Sequence, residues 1–238
     1  MRDRFTGTLL GLLAAGYAAF WAIDCGGSEA LYPAGLWIKQ GCICLCLLLA
    51  VARLGGRPSR RGAYLAGALF FTALADTQLL FGGPPVWGMA LFQLAQGLHL
   101  MYVRPRAAQA LIPAHLAGLA AGVAAGLDPF ALAAGFYAAG LLENLLCSFL
   151  SWRAERSPAR WRTAWGFVLF ALCDVNVALF NLPGVLPSMP GWYTQGVYEA
   201  ASALMWFWYL PGQALLALGG QEGIFARGRT TAAIRRIE

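Results

Sequence analysis

Five ionisable side chains stand inside long apolar runs of this sequence: Lys39, Asp76, Glu143, Asp174 and Glu199. A charged side chain at the centre of a membrane helix costs about 2.5 to 3.5 kcal/mol on insertion scales. Ionisable residues in such positions therefore mark functional sites by default, and we expect them to face the interior of a helix bundle. A protonated carboxyl beside an ionised one can perform general acid/base catalysis, which makes Asp76 and Asp174 the candidate catalytic pair.

The position of each residue along its apolar run indicates its depth in the membrane. Four of them fall at a similar depth, in the outer half: Lys39, Asp76, Asp174 and Glu199. We predict that the two aspartates face one shared cavity, with Lys39 on its wall. The alternative is a structural ion-pair network, although Lys39 can neutralise only one aspartate. Glu199 has a second interpretation as a residue of the membrane interface, and Glu143, beside Asn144, is typical of a polar residue that pairs helices.

Further polar residues lie at helical spacing. Gln93, Gln96 and His99 follow one another at intervals of three and drift along one broad helix face, which predicts that they point inward. His99 is then either a hydrogen-bonded packing residue or a substrate contact, whereas packing is the better interpretation of His115. Gln213 follows Tyr209 by one helical turn, so the two share a face.

The composition identifies the class of protein. The chain has 238 residues, of which 59% are hydrophobic and only 12% charged, and its mean hydropathy is +0.60. These values exclude a soluble globular domain, a disordered chain and a nucleic-acid-binding module, although the formal charge is +6. We predict one transmembrane domain over residues 1–220 and a basic cytoplasmic tail over 221–238.

Apolar runs separated by clusters of Arg, Pro or Gly predict eight transmembrane helices in an all-α bundle. Residues 67–82 and 166–184 each place an aspartate before an apolar turn and a Gly or Pro break. This similarity suggests a four-plus-four parallel repeat. The eight predicted helices span residues 5–23, 34–52, 62–82, 86–103, 107–126, 129–150, 162–182 and 192–218.

The arginines predict the orientation. With eight helices, all sixteen arginines fall on one side of the membrane, while the opposite loops hold Asp24, Glu29 and Asp128 and no Lys or Arg. The positive-inside rule then places both termini in the cytoplasm. The single lysine against sixteen arginines, with abundant Ala and Gly, is typical of a GC-rich bacterial genome and so favours a bacterial inner membrane.

Motifs for common cofactors and nucleophiles are missing from the sequence. It contains no HExxH, GxSxG or Walker loop. The cysteine-rich run GCICLCLL lacks the His or Asp partners of a metal site, so its cysteines are interpreted as small apolar residues. We therefore predict no cofactor, no metal and no nucleic-acid partner. The expected contacts are membrane lipids, and the sequence leaves the oligomeric state open.

Several segments, in order, resemble the YhhN-like lysoplasmalogenase family of eight-helix membrane proteins. Two departures are visible, because the family usually has His where this chain aligns Gln96 and Pro where it aligns Gln40. The segments that carry the resemblance are WIKQGCICLCLL, GALFFTALADTQLL, LFQLAQGLHLMYV, GFVLFALCDVNVALFNL and YLPGQALLAL.

The resemblance implies hydrolysis of the vinyl ether of a lysoplasmalogen, a lysophospholipid, to a fatty aldehyde and a glycerophospho-base. Two carboxyls suit this reaction, because one can protonate the vinyl carbon while the other stabilises the oxocarbenium ion or activates water, as in glycoside hydrolysis. The expected catalytic residues are Asp76 and Asp174, and the expected substrate-binding residues are Lys39, Gln96, His99, Glu199, Tyr209 and Gln213.

Two other classes of function stay open at this point. In a proton- or solute-coupled transporter, Asp76, Asp174, Lys39 and Glu199 would form a relay near the repeat interface. The third class is a structural or regulatory membrane protein with an inactive site. This class stays open because the chain has Gln96 where the family usually has His.

Overall fold

A computed structural model describes residues 2–27, 29–54, 59–185, 188 and 190–220. This part of the chain forms eight α-helices, which confirms the all-α prediction, and the predicted tail over 221–238 lies outside it. A short 3-10 turn (Glu29–Leu31) precedes α2, and a π-helical turn (Tyr193–Val197) precedes α8. The helices are α1 (Arg2–Gly26), α2 (Tyr32–Leu54), α3 (Arg60–Leu80), α4 (Pro85–Val103), α5 (Pro105–Ala124), α6 (Pro129–Glu155), α7 (Pro158–Val185) and α8 (Tyr198–Gly219).

Proline marks the start of four helices, where its missing N–H leaves no hydrogen bond unmade. The Asp128 carboxylate caps α6 by accepting a hydrogen bond from the Ala131 N–H at 2.8 Å. Gly82 and Gly126 adopt positive φ angles of 81° and 70° in the turns after α3 and α5. Glycine suits these turns because it enters the left-handed region without a steric penalty.

Six of the helices are long and apolar enough to cross a membrane, and they indicate a membrane protein. The two others, α4 and α8, carry Gln96, His99 and Gln213, polar residues that are buried inside the bundle. Large apolar side chains instead cover the outer surface, among them Leu116 at 63% exposure and Leu142 at 62%. This inversion, with polar groups inside and leucines outside, is the pattern expected where lipid is the solvent.

The order of packing supports the four-plus-four repeat suggested by the sequence. α3 pairs with α4 as α7 pairs with α8, and α2 packs on α8 as α6 packs on α4. α5 breaks the correspondence, because it packs loosely on α6 whereas α1 packs closely on α2. Superposition of the two halves stays a prediction.

Among the described residues, α7 and α8 form the most extensive helix–helix contact. Gly166 and Gly212 face each other there, and a Cβ built on Gly212 would lie 3.1 Å from the Gly166 carbonyl oxygen. Phe167 and Phe170, next to this seam, are completely or almost completely buried. The contact places the inward face of α8 at a short distance from the core aromatics of α7.

Candidate active site

Asp76 lies one turn from the end of α3 and is 5% exposed. Its Oδ2 accepts a hydrogen bond of 2.7 Å from the hydroxyl of Tyr209, which is 4% exposed on α8. Both groups are buried because they lie where α3 and α8 approach each other inside the bundle. The tyrosine therefore holds the Asp76 carboxyl in one orientation away from lipid.

Asp174 on α7 has a matching partner. Its Oδ2 accepts a hydrogen bond from the hydroxyl of Tyr137 on α6. Both residues are partly exposed, so this pair lies closer to the surface of the bundle than the Asp76–Tyr209 pair. Each candidate catalytic carboxyl is thus oriented by one phenolic donor from another helix.

A continuous row of aromatic rings joins the two pairs. Tyr137 contacts Phe92 with 5.6 Å between ring centroids. Phe92 contacts Phe170 at 5.9 Å, and Phe170 contacts Tyr209 at 5.5 Å. Negative charges on Asp76 and Asp174 would repel each other across this row. The row links Asp76 and Asp174 through aromatic contacts, and the cavity that the sequence analysis expected them to share stays a prediction.

Lys39 pairs with a carboxylate other than those of Asp76 and Asp174. Its ammonium group contacts the Asp24 carboxylate at 2.8 Å and lies 5.3 Å from the ring centroid of Trp206. Asp24 comes from the end of α1, so a neighbour that the sequence analysis had assigned to a loop neutralises Lys39. The prediction that Lys39 lies on the wall of a cavity shared by the two aspartates stays a prediction.

Glu199 stands in the first turn of α8 and is exposed. It lies more than two turns before Tyr209, so it does not join Asp76 in a cluster. The second interpretation, a residue of the membrane interface, fits this position. The predicted role of Glu199 in substrate binding stays a prediction.

Gln96 and Asn144 form a buried pair between α4 and α6. The Asn144 Nδ2 donates to the Gln96 side-chain oxygen at 2.9 Å and to the backbone carbonyl of Gln96 at 2.8 Å. Nearby, Gln93 Nε2 contacts His115 Nδ1 and His115 Nε2 contacts Glu143 Oε1, each at 3.0 Å. These contacts join α4, α5 and α6, in agreement with the interpretation of Glu143 and His115 as polar residues that pair helices.

His99 and Gln213 are completely buried. The imidazole of His99 packs edge-on against Phe167 with 5.2 Å between centroids. Neither of its nitrogens, and neither polar atom of the Gln213 side chain, has a hydrogen-bond partner among the described residues. The sequence analysis left packing and substrate contact open for His99, and the contact with Phe167 is compatible with both.

Sequence reasoning missed Tyr137, Phe92 and Phe170, which complete the site. Nothing in the local sequence distinguishes Tyr137 from the other aromatics of apolar helices. Its role depends on α6 lying beside α7, which is a tertiary feature. Tyr209 was expected to contact substrate, which stays a prediction, and the structure shows it as the hydrogen-bond partner of Asp76.

The model of the YhhN family matches residues 36–220. The chain belongs to the YhhN family. The match begins within α2 and ends just after α8, so it includes both aspartates and both tyrosines of the site. Comparisons with curated proteins and with solved structures give no match. Membership of the YhhN family suggests a lysoplasmalogenase-type protein.

Proposed function

We propose that this YhhN-family protein hydrolyses the vinyl ether bond of lysoplasmalogen-type lysophospholipids. The observation that carries the proposal is the pair of aspartates, each oriented by a tyrosine and joined by a row of aromatic rings. Two carboxyls in an apolar site match a reaction that passes through an oxocarbenium ion. The family membership supports the same substrate class.

In the proposed reaction, a protonated carboxyl transfers its proton to the outer carbon of the vinyl group. The carbon attached to the ether oxygen becomes an oxocarbenium centre, which the second carboxylate stabilises. Water then bonds to this carbon and loses a proton to a carboxylate, forming a hemiacetal. Collapse of the hemiacetal releases the fatty aldehyde and the glycerol hydroxyl of the glycerophospho-base. The assignment of acid and base between Asp76 and Asp174 is part of the test.

The surroundings suit an amphiphilic substrate. The ring row of Phe92 and Phe170 offers apolar contacts to an alkenyl chain, and it excludes water that would compete for the proton. The tyrosine hydroxyls keep the carboxyl oxygens in place, so little reorganisation is needed during proton transfer.

Purified protein in micelles should release aldehyde from a lysoplasmalogen and none from the saturated ether analogue. If the protein releases aldehyde from neither substrate, the result contradicts the proposal. The rival transporter would instead show solute or proton flux in proteoliposomes without turnover. Its four-residue relay has less support, because Lys39 pairs with Asp24 and Glu199 is exposed.

We also propose a bacterial inner-membrane location with both termini in the cytoplasm. The helix ends that carry Arg53, Arg104 and Arg153 lie at the same end of the helix bundle as the starts of α3, α5 and α7. The positive-inside rule places this end in the cytoplasm. Reporter fusions at residue 220 should be active only as cytoplasmic fusions, and a periplasmic signal would contradict the orientation.

A further inference from the structure

Three completely buried polar residues occupy the interior of the bundle: Thr72 on α3, His99 on α4 and Gln213 on α8. We call them the polar layer. Five of their atoms have no hydrogen-bond partner within the described residues: Thr72 Oγ1, His99 Nδ1, His99 Nε2, Gln213 Nε2 and Gln213 Oε1. Buried polar atoms in folded proteins are nearly always matched by a protein group or an ordered water.

The register of α3 and α8 brings two of these residues face to face. A Cβ built on Gly220 would contact the Leu65 side chain at 2.9 Å, and Tyr209 is hydrogen-bonded to Asp76. Both contacts fit one antiparallel register, in which each step forward along α3 is a step backward along α8. The same register places Thr72 opposite Gln213, one helical turn from the Asp76–Tyr209 bond.

The Cα of His99 on α4 lies about one helical turn nearer to the start of α3 than Thr72, because the neighbouring Leu98 packs 3.2 Å from the Cβ position of Gly67. The ring of His99 contacts Phe167, and the Gly166–Gly212 seam brings Phe167 to the height of Gln213. Side chains in a helix lean towards its N-terminus. His99 therefore leans towards the carboxyl pair, because α4 begins at the opposite end of the bundle from α3, and Thr72 leans towards His99.

The hydrogen-bonding chemistry of the layer suits water. A threonine hydroxyl both donates and accepts, a neutral imidazole has one donor and one acceptor, and a glutamine amide offers both. Water donates two hydrogen bonds and accepts two, and buried waters in proteins typically make about three. A charged ligand has no counter-ion among these three neutral side chains, so a neutral molecule fits better.

We propose that Thr72, His99 and Gln213 bind the water that attacks the oxocarbenium ion. This inference rests on the proposed vinyl ether hydrolysis. The water oxygen forms a bond to the carbon attached to the ether oxygen, and one water proton passes to a carboxylate of the pair. Without this water, the cation returns its proton to the carboxylate, and the vinyl ether is restored.

Hydrolysis in D₂O separates the two steps. The carboxyl delivers deuterium to the outer vinyl carbon, and a cation that water fails to capture loses either H or D. Mass spectrometry then measures deuterium in the recovered substrate as well as in the released aldehyde. For the unaltered protein we expect deuterium in the aldehyde and little in the recovered substrate.

Thr72→Val and Gln213→Leu remove hydrogen-bonding groups of the layer with little change in shape. We expect each to slow aldehyde release about tenfold, the effect of losing one hydrogen bond, and to raise deuterium in the recovered substrate. Thr163→Val is the matched control. Thr163 is also buried, but its hydroxyl already donates to the Ala159 carbonyl at 3.0 Å, so the ratio of exchange to release should not change.

Other results of these experiments contradict either the water site or the proposed function. The water site is wrong if folded Thr72→Val releases aldehyde more slowly without increased deuterium exchange. It is also wrong if aldehyde release is unchanged in both layer variants. Neither outcome contradicts the chemistry proposed for the two carboxyls. Thermal melting confirms that each variant is folded, and Thr72→Val alone suffices if Gln213→Leu does not fold. If the unaltered protein shows neither aldehyde release nor deuterium exchange, the proposed function itself is overturned.

Discussion

The two halves of the molecule orient their aspartates with the same chemical group but from different directions. Asp76 on α3 receives the hydroxyl of Tyr209, which comes from the last helix of the other half. Asp174 on α7 receives that of Tyr137, which comes from the helix just before it. A repeated aspartate thus does not imply a repeated partner, because the partner depends on which helices are neighbours.

The two pairs also differ in burial. Asp76 and Tyr209 are both buried, whereas Asp174 and Tyr137 are partly exposed, and Val175 beside Asp174 is 55% exposed. Substrate from the membrane would therefore meet Asp174 before Asp76. The difference predicts that the two pairs respond unequally to substitution.

Replacing either aspartate by asparagine should have the largest effect. Asp76→Asn and Asp174→Asn keep size and hydrogen bonding but remove proton transfer, so each should lower turnover by about 10² to 10⁴. The double variant should lose far less than the product of the two single losses, because the carboxyls act as a unit. Aldehyde release and thermal melting on the same preparations check this.

A purely structural role for the aspartates has the opposite signature. It predicts poor expression or a lower melting temperature, with activity per folded molecule retained. If both single variants stay folded and keep more than about a tenth of the turnover, well short of a catalytic contribution, the carboxyl-pair mechanism is wrong.

Removing the tyrosine hydroxyls should have a smaller effect and tests the comparison directly. Hydrogen bonds to charged groups contribute about 1.5 to 3 kcal/mol. Tyr209→Phe should therefore lower turnover by about 10- to 100-fold, and Tyr137→Phe by less, because the Asp174 pair is only partly buried. Measured kcat values for the two variants decide the order, and a larger loss in Tyr137→Phe would reverse our ranking of the pairs.

An added methyl group should have different effects at the α7–α8 contact and on the open face of α6. A Cβ on Gly212 meets backbone atoms of Gly166 and Phe170 at 3.1 and 3.3 Å, so Gly212→Ala should cost about 1 to 3 kcal/mol of stability. Gly135 on α6 has open space around its Cβ position. Gly135→Ala should be neutral or stabilising by up to about 1 kcal/mol.

Thermal unfolding in detergent measures both glycine variants. Equal melting temperatures would show that the α7–α8 contact adapts as easily as the loosely packed surroundings of α6.

The smallest effect is expected from Lys39. Since its partner Asp24 is partly exposed, Lys39→Met should lower stability by about 1 kcal/mol while leaving turnover per folded molecule nearly unchanged. The double variant Asp24→Asn with Lys39→Met should recover part of the loss, because no unpaired charge remains. A large fall in kcat in folded Lys39→Met would return this lysine to the active site.

Much of the fold follows from the order of residues alone. Length and hydropathy determine how many helices the chain can form, because a segment in lipid must satisfy its backbone hydrogen bonds internally. Prolines at the helix starts and glycines in the turns mark the boundaries, and intramembrane aspartates stand out because they are costly to bury. Asp76 and Asp174 were selected as candidate site residues in this way.

Only the tertiary structure decided how those residues are paired. Lys39 was expected on the wall of the aspartate site, and only the packing of α1 on α2 shows that it pairs with Asp24. Tyr137 and Thr72 could not be selected in advance, because one hydrophobic helix face resembles another until its neighbour is known. Helical periodicity determines the face of a residue, whereas its partner depends on the register between helices, which long-range packing alone sets.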